Sequence, residues 1–241
     1  MKIKLTYYDR GFTTVYLNEG EADKIIKKFQ NFLTYEDVEE EIYAEDVNLP
    51  NNIEDSWPKI HLDYLQNERK FDPDFIIPKY NLKAIYNLGD KYNFSIFIPI
   101  TENGRIVTFT TRSIYKDGGY FHCPKKESIV PVKSILYNID SVKHKMIITE
   151  GPTDVWRIGD GSVAVFGKQF TDKQVLKVVE KDPKEVYILF DSEPEAIELA
   201  HKMANKLEGL IPYVEVLNLS EGDPSDLSDE FVRELRIELN I

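Results

Sequence analysis

The chain has 241 residues, of which 42% are hydrophobic and 12% aromatic, so it holds enough apolar residues for a folded core and is not a disordered chain. Its one cysteine, Cys123, excludes an intramolecular disulfide, and with four histidines it argues against a structural zinc finger. There is no run of about 18 apolar residues and no signal-peptide pattern at the start, so we expect a cytoplasmic protein without a membrane span.

The charge of the chain is unevenly distributed. The formal net charge is −12, whereas a nucleic-acid binder usually gains affinity by neutralising phosphates with basic residues. Residues 19–55 hold twelve acidic residues and three lysines, but residues 105–145 hold eight basic residues and three acidic ones, a local net charge of +5. This basic middle is either a surface for an anionic partner or an ordinary solvated surface, and charge alone leaves both open.

The first part of the chain predicts short elements. Residues 1–17 indicate two short strands around a central turn, and residues 21–33 have the apolar spacing of a helix. Residues 36–55 are acidic and irregular, and we interpret them as a linker.

The next region predicts a helix and a hairpin. Residues 59–67 have a helical pattern, and we expect loops around Pro73 and Pro78. Residues 94–100 and 105–111 are strand-like, and the Asn-Gly pair between them supplies the positive φ angles of a hairpin turn.

From residue 145 onward, predicted strands alternate with predicted helices. The strands are expected over residues 146–149, 163–166, 186–190 and 214–219, and the helices over 153–158, 171–181 and 194–208. Thr171 and Gln174 form a capping box, and Ser192 is the candidate N-cap of the last of these helices. The alternation predicts a mostly parallel sheet with helices on both faces.

Three of these strands run into acidic residues. The first is followed by Glu150 and Asp154, the third by Asp191 and Glu193, and the fourth by Asp223. One acidic residue after a buried strand usually marks only the point where the chain reaches solvent. Three such strand ends meet at one edge of a parallel sheet, where their carboxylates repel one another unless cations neutralise them. Oxygen ligands without histidine or cysteine suit Mg²⁺ or Mn²⁺.

Four segments in this region resemble the Toprim domain, which bacterial and phage DNA primases share with topoisomerases, small nucleases and recombination proteins. They are Ile147-Ile-Thr-Glu-Gly-Pro-Thr-Asp154, Val165-Phe-Gly167, Leu189-Phe-Asp-Ser-Glu193 and Gly222-Asp-Pro-Ser-Asp-Leu227. The domain has Glu-Gly-x-x-Asp after one strand, Gly after the next and Asp-x-Asp after the third. The resemblance implies an α/β, Rossmann-like Toprim domain over residues 145–241.

Segments upstream resemble the catalytic core of the bacterial and phage-type DNA primases. They are His61-Leu-Asp-Tyr-Leu65 with Arg69-Lys-Phe-Asp72, Tyr92–Ile100, Gly104–Arg112, Phe121-His-Cys-Pro124 and Val132–Tyr137. The resemblance implies a mixed α+β, basic primase-type subdomain over residues 57–144, preceded by an acidic N-terminal extension over residues 1–56.

The resemblance also implies roles for individual residues. Glu150 and Asp154 would be catalytic, and the ligands of Mg²⁺ (or Mn²⁺) would be Glu150, Asp191, Glu193 and Asp223. The basic subdomain would face the template strand and the incoming nucleoside triphosphate, with candidate contacts at Arg112, Lys125, Lys126, Lys133 and Lys168. Arg157 is either a further phosphate contact or a partner of Asp160.

The function implied is a DNA primase core that makes short RNA primers on single-stranded DNA. Its implied partners are nucleoside triphosphates and a replicative helicase or zinc-binding module, in a phage-encoded system in the host cytoplasm. Two departures from the family pattern, Glu193 for aspartate and Gly119 for lysine, favour an alternative: a non-catalytic accessory that binds single-stranded DNA or a helicase. A Toprim nuclease, which would use the same carboxylates on water or a tyrosine, is the other alternative.

Overall fold

The computed structural model describes residues 2–8, 12–18, 44–86, 91–115 and 118–241. The chain divides into two compact units, residues 1–41 and 42–241. In the first unit, strands β1 (Lys2–Tyr8) and β2 (Phe12–Asn18) pair antiparallel, which confirms the two short strands expected there. The helix expected over residues 21–33 lies outside the described residues, and the domain boundaries at residues 57 and 145 stay predictions.

The second unit begins with two short helices. Helix α1 (Lys59–Asp63) continues into a π-helical turn, Tyr64–Glu68, which confirms the predicted helix. Helix α2 (Pro73–Lys79) shows that the loops expected around the two prolines were wrong. Pro73 lies in the first turn, where its missing N–H is not needed, and Asp72 caps that turn by accepting a 3.0 Å hydrogen bond from the Asp74 amide.

An antiparallel sheet follows, with strands in the order β3-β4-β5-β6. Its strands are β3 (Lys83–Ile85), β4 (Ser95–Glu102), β5 (Arg105–Ser113) and β6 (Tyr120–His122). The predicted hairpin is confirmed, since Asn103 and Gly104 take φ angles of 54° and 75° in its turn. The amides of these two residues donate to the Asp140 carboxylate at 2.8 and 3.0 Å, which ties the turn down.

The remainder forms a parallel sheet in the order β10-β9-β7-β8, in which every neighbouring pair is parallel. The strands are β7 (Lys145–Thr149), β8 (Ser162–Ala164), β9 (Glu185–Leu189) and β10 (Tyr213–Leu217). The helices are α3 (Pro152–Ile158), α4 (Asp172–Lys181), α5 (Pro194–Leu207) and α6 (Asp229–Leu239). The α/β fold expected for this region is confirmed.

Helices flank this sheet. Ile147, Tyr187 and Leu189 share a buried apolar cluster with Leu239 of α6. The alternate side chains of β7 and β9 point the other way and are also buried, and α5 contacts β9 and β10 and packs on α4. Within the described ranges, no helix is long and apolar enough to span a bilayer.

Two helix starts were predicted from capping residues. At α4 the capping box is present, because the Gln174 amide donates to Thr171 Oγ1 at 3.2 Å and the Thr171 amide donates to Gln174 Oε1 at 3.0 Å. At α5 the prediction was wrong: the N-cap is Glu193, not Ser192, and it makes no side-chain capping bond. The Glu193 carboxylate is instead paired with Lys168.

One core joins the antiparallel and parallel sheets. Tyr137 and Ala164 form an isolated antiparallel bridge between the two regions. Trp156 Nε1 donates to the Tyr137 hydroxyl at 2.9 Å, and the Tyr80 hydroxyl donates to the Val155 carbonyl at 3.0 Å. Val155 and Trp156 of α3 also share a buried apolar cluster with Ile96 and Ile98 of β4, so this core holds α3 against the antiparallel sheet.

Candidate active site

The fold gathers the acidic residues at the carboxyl edge of the parallel sheet. Glu150 directly follows β7, Asp154 lies in the first turn of α3, and Asp191 follows the end of β9 by two residues. Asp223 precedes a 3₁₀ turn after β10. Asp154, Asp191 and Asp223 each place one carboxylate oxygen within 4.8 Å of the other two. The three aspartates together could hold a metal ion.

Two of these carboxylates are fixed by their own loops. The Gly151 amide donates to Asp154 Oδ2 at 2.7 Å, and the Ser225 amide donates to Asp223 Oδ1 at 2.6 Å. Each bond orients the carboxyl group and leaves lone pairs for a ligand. Asp191 differs, because its Oδ1 is buried and has no hydrogen-bond partner among the described residues.

Glu150 lies beside this triad. It is 6% exposed, and its Oε1 accepts a 3.4 Å hydrogen bond from the Asp191 amide. Glu150 and the three aspartates line one cleft of about 370 Å³. The structure brings these four predicted site residues together, and their roles stay predictions.

Burial and mutual repulsion alter the acidity of the cluster. Burial, followed by the charges of Asp223 and Glu150, raises the pKa of Asp191 to about 7. Burial and Asp223 raise the pKa of Asp154 well above its usual range, and burial also raises the pKa of Glu150. A nearby cation would favour the ionised forms again. The donor set, which is all oxygen and includes an unpartnered buried atom, fits Mg²⁺ or Mn²⁺.

Basic and aromatic side chains line the rest of the cleft. Arg112 of β5 donates through Nε to the Tyr64 hydroxyl at 3.2 Å, and its guanidinium carbon lies 4.9 Å from the centroid of the Tyr120 ring. Arg69 Nη2 donates to Ser225 Oγ at 3.0 Å, and Arg69 Nε is buried without a partner among the described atoms. His122 also lines the cleft.

Three of these cleft residues were missed in the sequence. Arg69, Tyr120 and His122 all belong to, or directly adjoin, segments that resemble the primase core, and this was the available signal. Arg69 lies at the cleft because it directly follows the π-helical turn and its side chain donates to Ser225, which is far along the chain.

Of the predicted basic contacts, Arg112 alone lies among the described residues that line the cleft. Lys133 Nζ donates to the carbonyls of Val165, Phe166 and Gln169 at 3.2, 2.7 and 2.8 Å, so it holds the loop after β8. Lys125 and Lys126 are exposed on a 3₁₀ turn. Contacts of these lysines with nucleic acid stay predictions.

The loop held by Lys133 contains strained backbone. Phe166 has a φ angle of 63°, which is unusual for a bulky residue, and Gly167 follows with 102°. The Gly167 amide donates to the Glu150 carbonyl at 2.8 Å. The glycine of the Val-Phe-Gly segment therefore positions the backbone at Glu150.

Two predicted residues lie elsewhere. The Glu193 carboxylate is paired with Lys168, and it is not one of the three that come within 4.8 Å of one another. Arg157 does not pair with Asp160, which is bound to Lys79 at 3.3 Å. Arg157 instead donates to the carbonyls of Ser225, Lys70 and Arg69 at 3.0, 3.1 and 3.3 Å, respectively. It also pairs with Asp229 at 2.9 Å.

No family model and no curated protein matches this chain. Among solved structures, the chain is similar to the Aquifex aeolicus primase (zinc-binding and RNA polymerase domains), with 22% identity and a TM-score of 0.64 over 76% of this chain. The match covers 56% of that structure, just over half of its length. The chain is also similar to the primase fragment of the bacteriophage T7 primase-helicase protein, with 13% identity and a TM-score of 0.43 over 68% of this chain and 69% of that one. The first of these matches shows that the chain has a fold similar to that of the Aquifex aeolicus primase.

Proposed function

We propose that this protein is a metal-dependent nucleotidyltransferase of the primase type, which joins ribonucleotides into short RNA primers on single-stranded DNA. The observation that carries the proposal is the shared cleft of the three clustered aspartates and Arg112. A nucleoside triphosphate needs a cation for its phosphates and paired donors for its oxygens, and this cleft offers residues for both.

Asp154, Asp191 and Asp223 would hold Mg²⁺ or Mn²⁺. A divalent cation bound there would neutralise phosphate charge and would lower the pKa of a hydroxyl group bound to it. Glu150 would accept the proton of the attacking 3′-hydroxyl, because burial raises its pKa toward the range useful for a general base. Arg112 and Arg69 would bind phosphate oxygens through their planar, multiply donating guanidinium groups.

Strand cleavage through a tyrosine is disfavoured by the environment of Tyr120, the tyrosine among the described cleft residues. Burial raises the pKa of its phenol to about 12, and the hydroxyl lies 3.3 Å from Thr153 Oγ1. A phenol held protonated is a weak nucleophile. We therefore favour synthesis over cleavage through a tyrosine.

The proposed partners are single-stranded DNA as template and nucleoside triphosphates as substrates. A replicative helicase or a zinc-binding module is proposed to direct the protein to its template. The cytoplasmic, phage-encoded setting remains a prediction from the sequence.

The test is primer synthesis on single-stranded DNA with Mg²⁺ or Mn²⁺ and labelled ribonucleotides. Glu150→Gln removes the charge and keeps the shape, and Glu198→Gln, at an exposed residue paired with Lys202, is the matched control. We expect short products from wild type and Glu198→Gln but not from Glu150→Gln. Loss of template that depends on Glu150 would indicate a nuclease, and no reaction from any variant would indicate a binding accessory.

A further inference from the structure

The side chain of a lysine, Lys168, lies near the acidic cluster. Lys168 lies in the loop after β8, directly after Gly167, and its ammonium is paired with the carboxylate of Glu193 at the start of α5. Both side chains are about half exposed, at 50% and 59%. Glu193 stands where the Toprim pattern has an aspartate. This longer acidic side chain is the one that forms the ion pair with Lys168.

The charge of Lys168 reaches beyond this ion pair. Burial raises the pKa of Glu150 and of Asp191, and the charge of Lys168 opposes this rise, whereas the charge of Glu193 adds to it. Lys168 is therefore close enough to the cluster to offset part of its negative charge. A lysine ammonium is a compact point charge on a flexible stem. It can therefore neutralise carboxylates at a position that a small cation could also occupy.

We infer that Lys168 takes the place of a second divalent cation, so that this site binds one divalent ion, at Asp154, Asp191 and Asp223. The inference rests on the proposed function, because it concerns the same metal centre.

The physical reason is competition for carboxylates. Two divalent ions in such centres lie about 4 Å apart, and each needs carboxylate ligands of its own. Of the five acids expected to serve the centre, three cluster, Glu150 stands beside them, and Glu193 is already neutralised. A second divalent ion near Glu193 would have to displace the ammonium or bind against its positive charge.

The ion pair is suited to mutation because it is exposed. Exposed pairs contribute little to folding, so Lys168→Ala is expected to fold normally, and circular dichroism checks this. Lys168→Arg keeps the positive charge. Lys202→Ala is the matched control, because Lys202 forms an exposed pair with Glu198 on α5, away from the cleft.

The experiment is a titration of each full-length variant with Mn²⁺, in which bound and free ions are counted by electron paramagnetic resonance. We expect one bound Mn²⁺ per chain for wild type, Lys168→Arg and Lys202→Ala, and two for Lys168→Ala. Two ions on the wild type, or one on Lys168→Ala, would overturn the inference.

The same titration separates this inference from the proposed function. Asp191→Asn should lose the single ion of the wild type, because it removes a central ligand. If the wild type binds no Mn²⁺ at all, the proposed metal centre fails and the inference fails with it. If the wild type binds two ions and still makes primers, the proposed function stands and only the role of Lys168 is wrong.

Discussion

Arg112 Nε donates a 3.2 Å hydrogen bond to the hydroxyl of Tyr64, a residue of the π-helical turn that is 4% exposed. The guanidinium also lies over the Tyr120 ring. These two contacts use Nε and one face of the group. Neither contact uses the two terminal nitrogens, which can form a bidentate contact with a phosphate. Tyr64 is thus placed to position Arg112 for substrate.

Tyr64→Phe should weaken nucleotide binding more than the chemical step. The variant keeps the ring and removes one hydrogen bond to a charged group, worth about 1.5–3 kcal/mol, so we expect KM for the nucleoside triphosphate to rise roughly 10-fold or more with kcat nearly unchanged. Steady-state primer synthesis measures both constants. Tyr213→Phe, at an exposed tyrosine bonded to Glu215, is the control. A fall in kcat at constant KM would contradict this role.

The raised pKa of Asp191 predicts an unusual dependence of stability on pH in the presence of a chelator. The folded protein holds this proton up to about pH 7, whereas the unfolded chain releases it near pH 4. The contribution of Asp191 to the free energy of unfolding is therefore complete below about pH 4 and is lost as pH rises toward 7. Asp191→Asn, which cannot ionise, should become more stable relative to wild type between pH 5 and pH 8.

Thermal denaturation in EDTA measures this difference. Mg²⁺ should reverse the order at pH 8, because it binds the ionised triad of the native wild type and stabilises it, and its effect should be smaller at pH 6. Asp182→Asn, at an exposed residue paired with Lys184, should show neither trend. Equal Mg²⁺ stabilisation of wild type and Asp191→Asn would rule out Asp191 as a ligand.

Arg157 is bonded to the backbone of the turn that follows Asp223. Its side chain is 10% exposed, lies 4.6 Å from the Phe71 ring centroid and donates to the carbonyls of Ser225 and Lys70. Arg157→Ala should lower the free energy of unfolding by about 2–4 kcal/mol, because these carbonyls lose a charged donor, and should weaken Mn²⁺ binding because the Asp223 turn loses its support. Urea denaturation and Mn²⁺ titration test the two effects.

Arg233→Ala is the comparison for Arg157→Ala, since Arg233 lies on the neighbouring α6 with an exposed side chain. It should change stability by less than about 0.5 kcal/mol. Unaltered Mn²⁺ affinity in Arg157→Ala would show that the Asp223 turn keeps its shape without the arginine.

Much of the fold was predictable because local patterns and tertiary packing agree. The Asn103-Gly104 turn, the apolar strands and the Thr171 capping box each specify one local conformation, and the structure has them. The acids at strand ends were predictable because parallel strands end at a common edge. Proline was the misleading signal at α2, where Pro73 at the first helical position initiates the helix.

The partners of individual charged residues were less predictable. Lys133 is basic and lies within a segment that resembles the primase core, yet its ammonium donates to three backbone carbonyls of a distant loop. Glu193 precedes a helix in the expected place, but its carboxylate is taken by Lys168 from another loop. Such pairings depend on the path of loops between elements, and short-range sequence patterns do not contain that information.

Gln174 of α4 provides a test of how the loop after β8 is held. Its side chain is fully buried, its Nε2 donates to the carbonyls of Ile135 and Val165 at 3.1 and 2.9 Å, and its Oε1 accepts from the Thr171 amide. Gln174→Leu has similar volume but leaves the Ile135 carbonyl and the Thr171 amide without that partner, and each buried unsatisfied group costs about 1–3 kcal/mol. The Val165 carbonyl keeps its hydrogen bond from Lys133. We expect the free energy of unfolding, measured in urea, to fall by about 2 kcal/mol or more.

The matched control is Gln169→Leu, at an exposed residue five positions earlier in the chain, which should change stability by no more than about 0.5 kcal/mol. Because Val165 leads into the loop that contacts Glu150, Gln174→Leu should also reduce Mn²⁺ affinity under conditions where it remains folded. A loss of stability without any loss of affinity would mean that the loop is held by Lys133 alone. Unchanged stability would mean that the hydrogen bonds of the Gln174 side chain do not stabilise the fold.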